Sequence, residues 1–132
     1  MNKFRFMLIA TLQIILVVSI CSGAEKPKKK SCKEHPQLSG ACFKVKGRMS
    51  FSNGNPSVRI WPVGTDRMLG ISEGRFYLED YANVPENLVQ QLNWENAMFA
   101  DFTVCPFTDD EPGVMRYVCV ESAENILIRK RK

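Results

Sequence analysis

The sequence predicts a mainly β fold: a small β-sandwich or barrel of six to seven short strands with one short helix. Three observations predict it. Short runs of alternating apolar and polar residues recur between residues 42 and 128. Turn residues separate them, among them Asn53-Gly54, Gly64, Gly74 and Pro112-Gly113. Only the stretch after Val84 carries helical spacing. The composition, 45% hydrophobic and 24% charged, is globular and excludes a collagen, a coiled-coil rod and a wholly disordered chain. A length of 132 residues supports one domain, two at most.

The elements follow in order. Residues 1–24 place Lys3 and Arg5 before an apolar run from Phe6 to Ile20, with Ser22, Gly23 and Ala24 behind it. That order is a secretory signal peptide, with cleavage expected after Ala24. Two other readings stay open: an uncleaved anchor, though the run is short for a membrane span, and a lipid-modified Cys21, though Ile20 is large for that position. Residues 25–41 are rich in Lys, Pro, Ser and Gly and read as a basic, flexible tail. Cys42 to Phe51 alternates Phe43, Val45, Met49 and Phe51 with Lys44, Lys46, Arg48 and Ser50, a half-buried strand. Asn53-Gly54 accepts the positive φ of a tight turn, and Val58 to Pro62 forms the second strand. Met68, Leu69 and Ile71 form a third, and Phe76 to Leu78 a fourth. Pro85 and Glu86 suit a helix start, and Leu88, Val89 and Leu92 continue it over 85–92. Strand character returns at 99–107 and 115–121. Ser122 to Asn125 reads as a turn and Ile126 to Ile128 as the last strand. The single β-rich domain therefore spans 42–128, followed by a basic end at 129–132.

Charge is unevenly placed. Without Lys3 and Arg5, 16 of the 18 basic residues remain against 14 acidic ones. Lys26, Lys28, Lys29, Lys30 and Lys33 cluster before the domain, and Arg129, Lys130, Arg131 and Lys132 after it. The body at 34–128 keeps 7 basic and 13 acidic residues, so an acidic body carries two cationic ends. Such ends are drawn to anionic surfaces, here lipid headgroups or wall polymers. Lys26, Lys28, Lys29, Lys30 and Arg129 to Lys132 are the expected contacts, and peripheral membrane contact is compatible with them. An acidic body opposes wrapping by nucleic acid, so none is expected as partner.

Four cysteines follow the signal segment: Cys32, Cys42, Cys105 and Cys119. An even number in a short exported chain implies disulfides and an oxidising compartment, periplasmic or extracellular. Cys105 and Cys119 are expected opposite each other on consecutive strands, which favours pairing them together and Cys32 with Cys42. A bridge from Cys42 to the late hairpin is the alternative. The spacing lacks the tight pairs of a zinc site, and no cofactor is expected.

Phe43-Lys44-Val45-Lys46-Gly47-Arg48, with Asn53-Gly54-Asn55-Pro56 and Val58-Arg59-Ile60-Trp61, resembles the first hairpin of transthyretin-like and carboxypeptidase-regulatory-like β-sandwiches. The stretches GRMSFSNGNPSVRIWPVGTDRMLGIS and FADFTVCPFT resemble a group of small exported bacterial proteins of unassigned function. The second resemblance implies an exported β-rich domain. Neither brings catalytic residues, and the later part of the chain departs from the transthyretin pattern.

Candidate chemistry is sparse. His35, the single histidine, stands beside Pro36 in the tail and reads as solvated, without the fixed placement a general base requires. Asp109, Asp110 and Glu111 form an acidic turn that fits no calcium loop. Asp101 and Glu95, near Trp94 and Phe99, are the carboxylates on which a small hydrolase would rely. Arg59, Trp61 and Arg67 form the candidate surface for binding, since Arg and Trp dominate binding hot spots. The reading is a non-enzymatic, exported binding or envelope-associated module. Its rivals are a hydrolase and a factor that binds a protein partner.

Overall fold

The computed structural model describes residues 23–132. The predicted signal segment lies outside them except for Gly23 and Ala24, and Cys21 lies outside as well. Among the described residues no helix is long and apolar enough to cross a membrane.

Five strands form one closed barrel: β1 (Phe43–Phe51), β2 (Val58–Pro62), β3 (Leu69–Ile71), β4 (Asn96–Pro106) and β5 (Arg116–Lys130). Helix α1 (Glu86–Val89) lies between β3 and β4, and a 3-10 turn (Cys32–Glu34) precedes β1. The strand order is β1-β2-β3-β5-β4, closed by pairing of β4 with β1. Only β3 and β5 run parallel, from Leu69 opposite Arg116 to Ile71 opposite Val118. This is the Greek-key order of OB-type barrels.

Alternation builds the barrel as the sequence predicts. Met49, Ile60, Met98, Phe102, Val104, Val118 and Val120 point inward and are fully buried. Lys44, Lys46 and Arg48 occupy the opposite face of β1, as period-2 geometry requires. Gly47 is where β1 and β2 come closest. A Cβ there would stand 2.8 Å from Ile60 Cγ2 and 2.9 Å from the Trp61 carbonyl oxygen. Leu88 and Leu92 descend from α1 and the following turn to close one side of the core. The helix itself is four residues, shorter than the predicted 85–92.

Among the described residues the strand count is five, not six or seven, for two reasons. Phe76 to Leu78 is not a strand: Tyr77 N–H donates to Gly74 O in a turn, and Phe76 stacks flat on Phe107. The strands predicted at 115–121 and 126–128 belong to one strand, which begins at Arg116. The turn predicted at Ser122–Asn125 is instead a bulge, where Asn125 takes φ 53° and the register passes from Asp101–Glu124 to Phe99–Leu127.

The segment read as a flexible tail is corrected from Lys30 onward. Lys30 N–H donates to Asp80 O and Ala82 N–H to Lys30 O, and Ser39 N–H donates to Pro106 O. Cys32 is buried in a second core with Cys105, Phe107 and Cys119, which Leu38, Phe76 and Tyr117 flank. Residues 23–29 are exposed.

The disulfides join Cys32 to Cys119 and Cys42 to Cys105. Cys105 and Cys119 do face each other across β4 and β5. The favoured local pairing is nonetheless overturned, and Cys42 takes its alternative partner on the late hairpin. The physical reason is the second core. Packing of residues 32–38 against Phe76, Phe107 and Tyr117 carries Cys32 over Cys119. The two bridges lie side by side, with the sulfurs of Cys32, Cys105 and Cys119 within 4.8 Å of one another. Two such bridges are typical of proteins folded in an oxidising compartment.

Candidate functional site

The outer wall of the barrel assembles one row of side chains across four strands. Trp61 on β2 stands opposite Arg48 on β1, Arg48 opposite Phe99 on β4, and Phe99 opposite Leu127 on β5. Trp61 is 43% exposed and Leu127 48%, with Arg48 and Phe99 half-buried between them. The Arg48 guanidinium carbon lies 5.1 Å from the Trp61 ring centroid, a cation–π contact. The row thus offers an indole face, a fixed positive charge and two apolar side chains. Arg129, two residues beyond Leu127, projects to the same side.

The next rows of the wall are charged and largely paired. Lys46 Nζ lies 3.8 Å from Asp101 Oδ1, and Lys44 Nζ 3.9 Å from Glu124 Oε2. Asn125 Nδ2 donates to Asp101 Oδ2 at 2.8 Å. Exposed pairs of this kind stabilise little and exchange readily. Asp101 therefore sits on the outer wall in a polar cluster, while Glu95 lies in the exposed loop before β4.

The three residues singled out from sequence do not form one surface. Arg59 is on the same wall as Trp61, but its Nε donates to Pro56 O at 3.0 Å and Nη2 to Asn53 O at 3.2 Å. It ties down the β1–β2 turn. Arg67 lies in the β2–β3 loop, where Nη2 donates to Asp110 Oδ1 and to Glu111 O. It clamps the acidic turn beside an open depression lined by Asp66, Met68 and Gly113 to Met115. Trp61 alone of the three presents a free side-chain face. Of its row partners, the sequence pattern does not single out Arg48 or Leu127, and it sets Phe99 beside Asp101 and Glu95 instead. Lys44, Lys46 and Arg48 share one phase of the β1 alternation, a signal visible in sequence. The register that places Phe99 and Leu127 beside them was not visible.

The cationic ends are well separated. Lys29 and Lys30 lie over the rings of Tyr77 and Tyr81, 5.5 and 5.3 Å from their centroids. Cys32 fixes that end beside Cys119, while Arg129 and Lys130 close the far end of β5. Eleven residues of strand at about 3.3 Å each separate the two ends by a contour of roughly 35 Å, shortened by the bulge at Asn125.

His35 is not solvated: it is 4% exposed. Its ring packs against Tyr81 and Phe107, with centroids 4.9 and 4.7 Å away. Nε2 lies 3.1 Å from Phe76 O and Nδ1 accepts from the Gln37 N–H at 3.2 Å. These contacts fit a neutral imidazole donating from Nε2, and they make His35 a pin for the N-terminal segment. Nearby, the Ser31 hydroxyl and then the Ser31 N–H donate to the Glu34 carboxylate and hold it below its ordinary range.

No family model, no curated protein and no solved structure matches the chain.

Proposed function

We propose that this protein is an exported, non-enzymatic binding module that engages anionic envelope polymers through the outer wall of its barrel. The observation that carries this reading is the Trp61–Arg48–Phe99–Leu127 row. An exposed indole suits stacking on a sugar ring, and the adjacent guanidinium suits the acidic substituent of an anionic glycan. Five-stranded Greek-key barrels bind extended polymers on an outer face centred on β2 and β3, of which this row shares β2, a fold-level analogy that does not name the polymer. The two disulfides support an exported location. The basic ends add long-range, salt-sensitive attraction that the acidic body lacks.

Binding of the oxidised protein to an acidic polysaccharide and to anionic vesicles tests this. Trp61→Ala with Arg48→Ala is expected to weaken polysaccharide binding about tenfold or more. Arg59→Ala with Arg67→Ala is expected to leave it nearly unchanged, because both guanidinium groups are engaged within the protein. Polysaccharide binding that ignores Trp61 and Arg48 would remove the outer wall as the site.

A further inference from the structure

The distal half of β5 has one edge that no described residue covers. β3 pairs with β5 only through Arg116–Val118, and Val120 N–H is taken by Asn83 O. From Glu124 to Lys130 every residue of the strand is exposed, and pairing is to β4 alone. Ile126, Leu127 and Ile128 are 37, 48 and 37% exposed in the middle of this stretch. The open groups can be assigned. Arg131 N–H donates to Glu95 O, continuing the register in which Lys130 faces Asn96. Hydrogen-bonded and non-bonded pairs alternate along an antiparallel ladder. Leu127 and Arg129 therefore direct their backbone groups to β4, whereas Ile126 and Ile128 direct theirs to the open edge.

We infer that this edge pairs antiparallel with the same edge of a second copy, about a two-fold axis through Leu127. The sequence is self-complementary in that register alone. Ile126 meets Ile128 of the other copy, so the two residues with edge-facing groups exchange reciprocal backbone hydrogen bonds on both sides of the axis. Leu127 meets itself. Arg129 meets Asn125, and Lys130 comes beside Glu124. Sliding by two residues one way sets Ile128 against Glu124, and the other way sets Lys130 against Ile126. The Asn125 bulge and the cations from 129 onward are devices that guard strand edges. Here they bound the open stretch on both sides without covering it, and so fix its register. An isologous contact of this kind closes after two copies. The inference concerns the strand edge and is independent of what the outer wall binds.

Sedimentation equilibrium of the oxidised full chain tests it, with hydrogen exchange on the same samples. A concentration-dependent dimer is expected, with the Ile126 and Ile128 amides more protected as it forms. Leu127→Arg and Leu127→Glu should each weaken the dimer about tenfold or more, since like charges meet at the axis. An equimolar mixture of the two variants should restore it. Ile128→Pro removes an edge donor while leaving the Leu127 and Arg129 bonds to β4, and should abolish the dimer. Circular dichroism establishes that each variant is folded, and the exchange data on the unaltered chain stand whether or not they are. A monomer at every concentration, or a dimer indifferent to both charges at Leu127, overturns the inference.

Discussion

Gly47 shows how closely the barrel wall is fitted. With backbone on one side and Ile60 on the other, an added methyl group has nowhere to move. Gly47→Ala is expected to destabilise the fold by about 1–3 kcal/mol, read as a lower urea midpoint at unchanged slope. Glu34 makes a pH-dependent contribution with a definite sign. Its carboxyl is depressed in the folded state by Ser31, so its stabilisation is present above the ordinary glutamate range. It is lost as pH falls through the lower, folded value. Protection factors around residues 31–35, corrected for the intrinsic pH dependence of exchange, should fall across that acid window in the natural protein, and Glu34→Gln should flatten the dependence. His35 was misread from sequence because its cage is built from Phe76, Tyr81 and Phe107, at least 41 residues away. A lone histidine beside a proline in a lysine-rich stretch carries no local sign of that burial.

At the scale of elements, each disulfide closes a long loop, with separations of 87 and 63 residues. In the chain-entropy account each stabilises by about 4 kcal/mol, a large share of a small barrel's net stability. Replacing Cys32 and Cys119 by Ser is expected to lower the unfolding free energy by about 2–5 kcal/mol. It should also open the N-terminal segment to trypsin at Lys30 and Lys33 before the barrel is cut. Limited proteolysis read by mass spectrometry follows both. The strands around residues 43–51, 58–62 and 99–107 were legible because each alternates cleanly. The helix was legible as a start signal at Pro85–Glu86, though it stops early. The single long β5 was not, because Ser122 to Asn125 has turn chemistry and the chain uses it for a bulge inside a strand. The outer-wall row was half legible: Trp61 stood out by type, whereas its neighbours depend on cross-strand register. Arg59 and Arg67 stood out equally and are spent on holding turns.

For the whole molecule, the placement of charge matters more than its total. The two cationic ends lie at well-separated points along β5, so under the proposed reading they would act as separate contacts with an anionic surface. Neutralising Lys26, Lys28, Lys29 and Lys30, or Arg129 to Lys132, is expected to reduce vesicle binding in part. Neutralising both sets should remove the salt-sensitive portion, because each basic residue near an anionic membrane contributes about 1 kcal/mol. Cosedimentation across a salt series separates these cases. In the β5-paired dimer the two outer-wall rows join at Leu127 into one strip ending in a Trp61 at each side. A polymer long enough to reach both would gain avidity that a single repeat unit would not.

The nested disulfides also set a problem in time. A chain made from its N-terminus presents Cys32 and Cys42 well before Cys105 and Cys119 exist outside the ribosome. The first two thiols are ten residues apart and meet more often than either meets a distant partner. A bridge between those two is one the finished barrel does not contain. Wherever that bond forms first it must be broken and exchanged before the barrel is complete, a task for a thiol–disulfide isomerase. Without one, the chain should accumulate as a species of correct mass with Cys32 joined to Cys42.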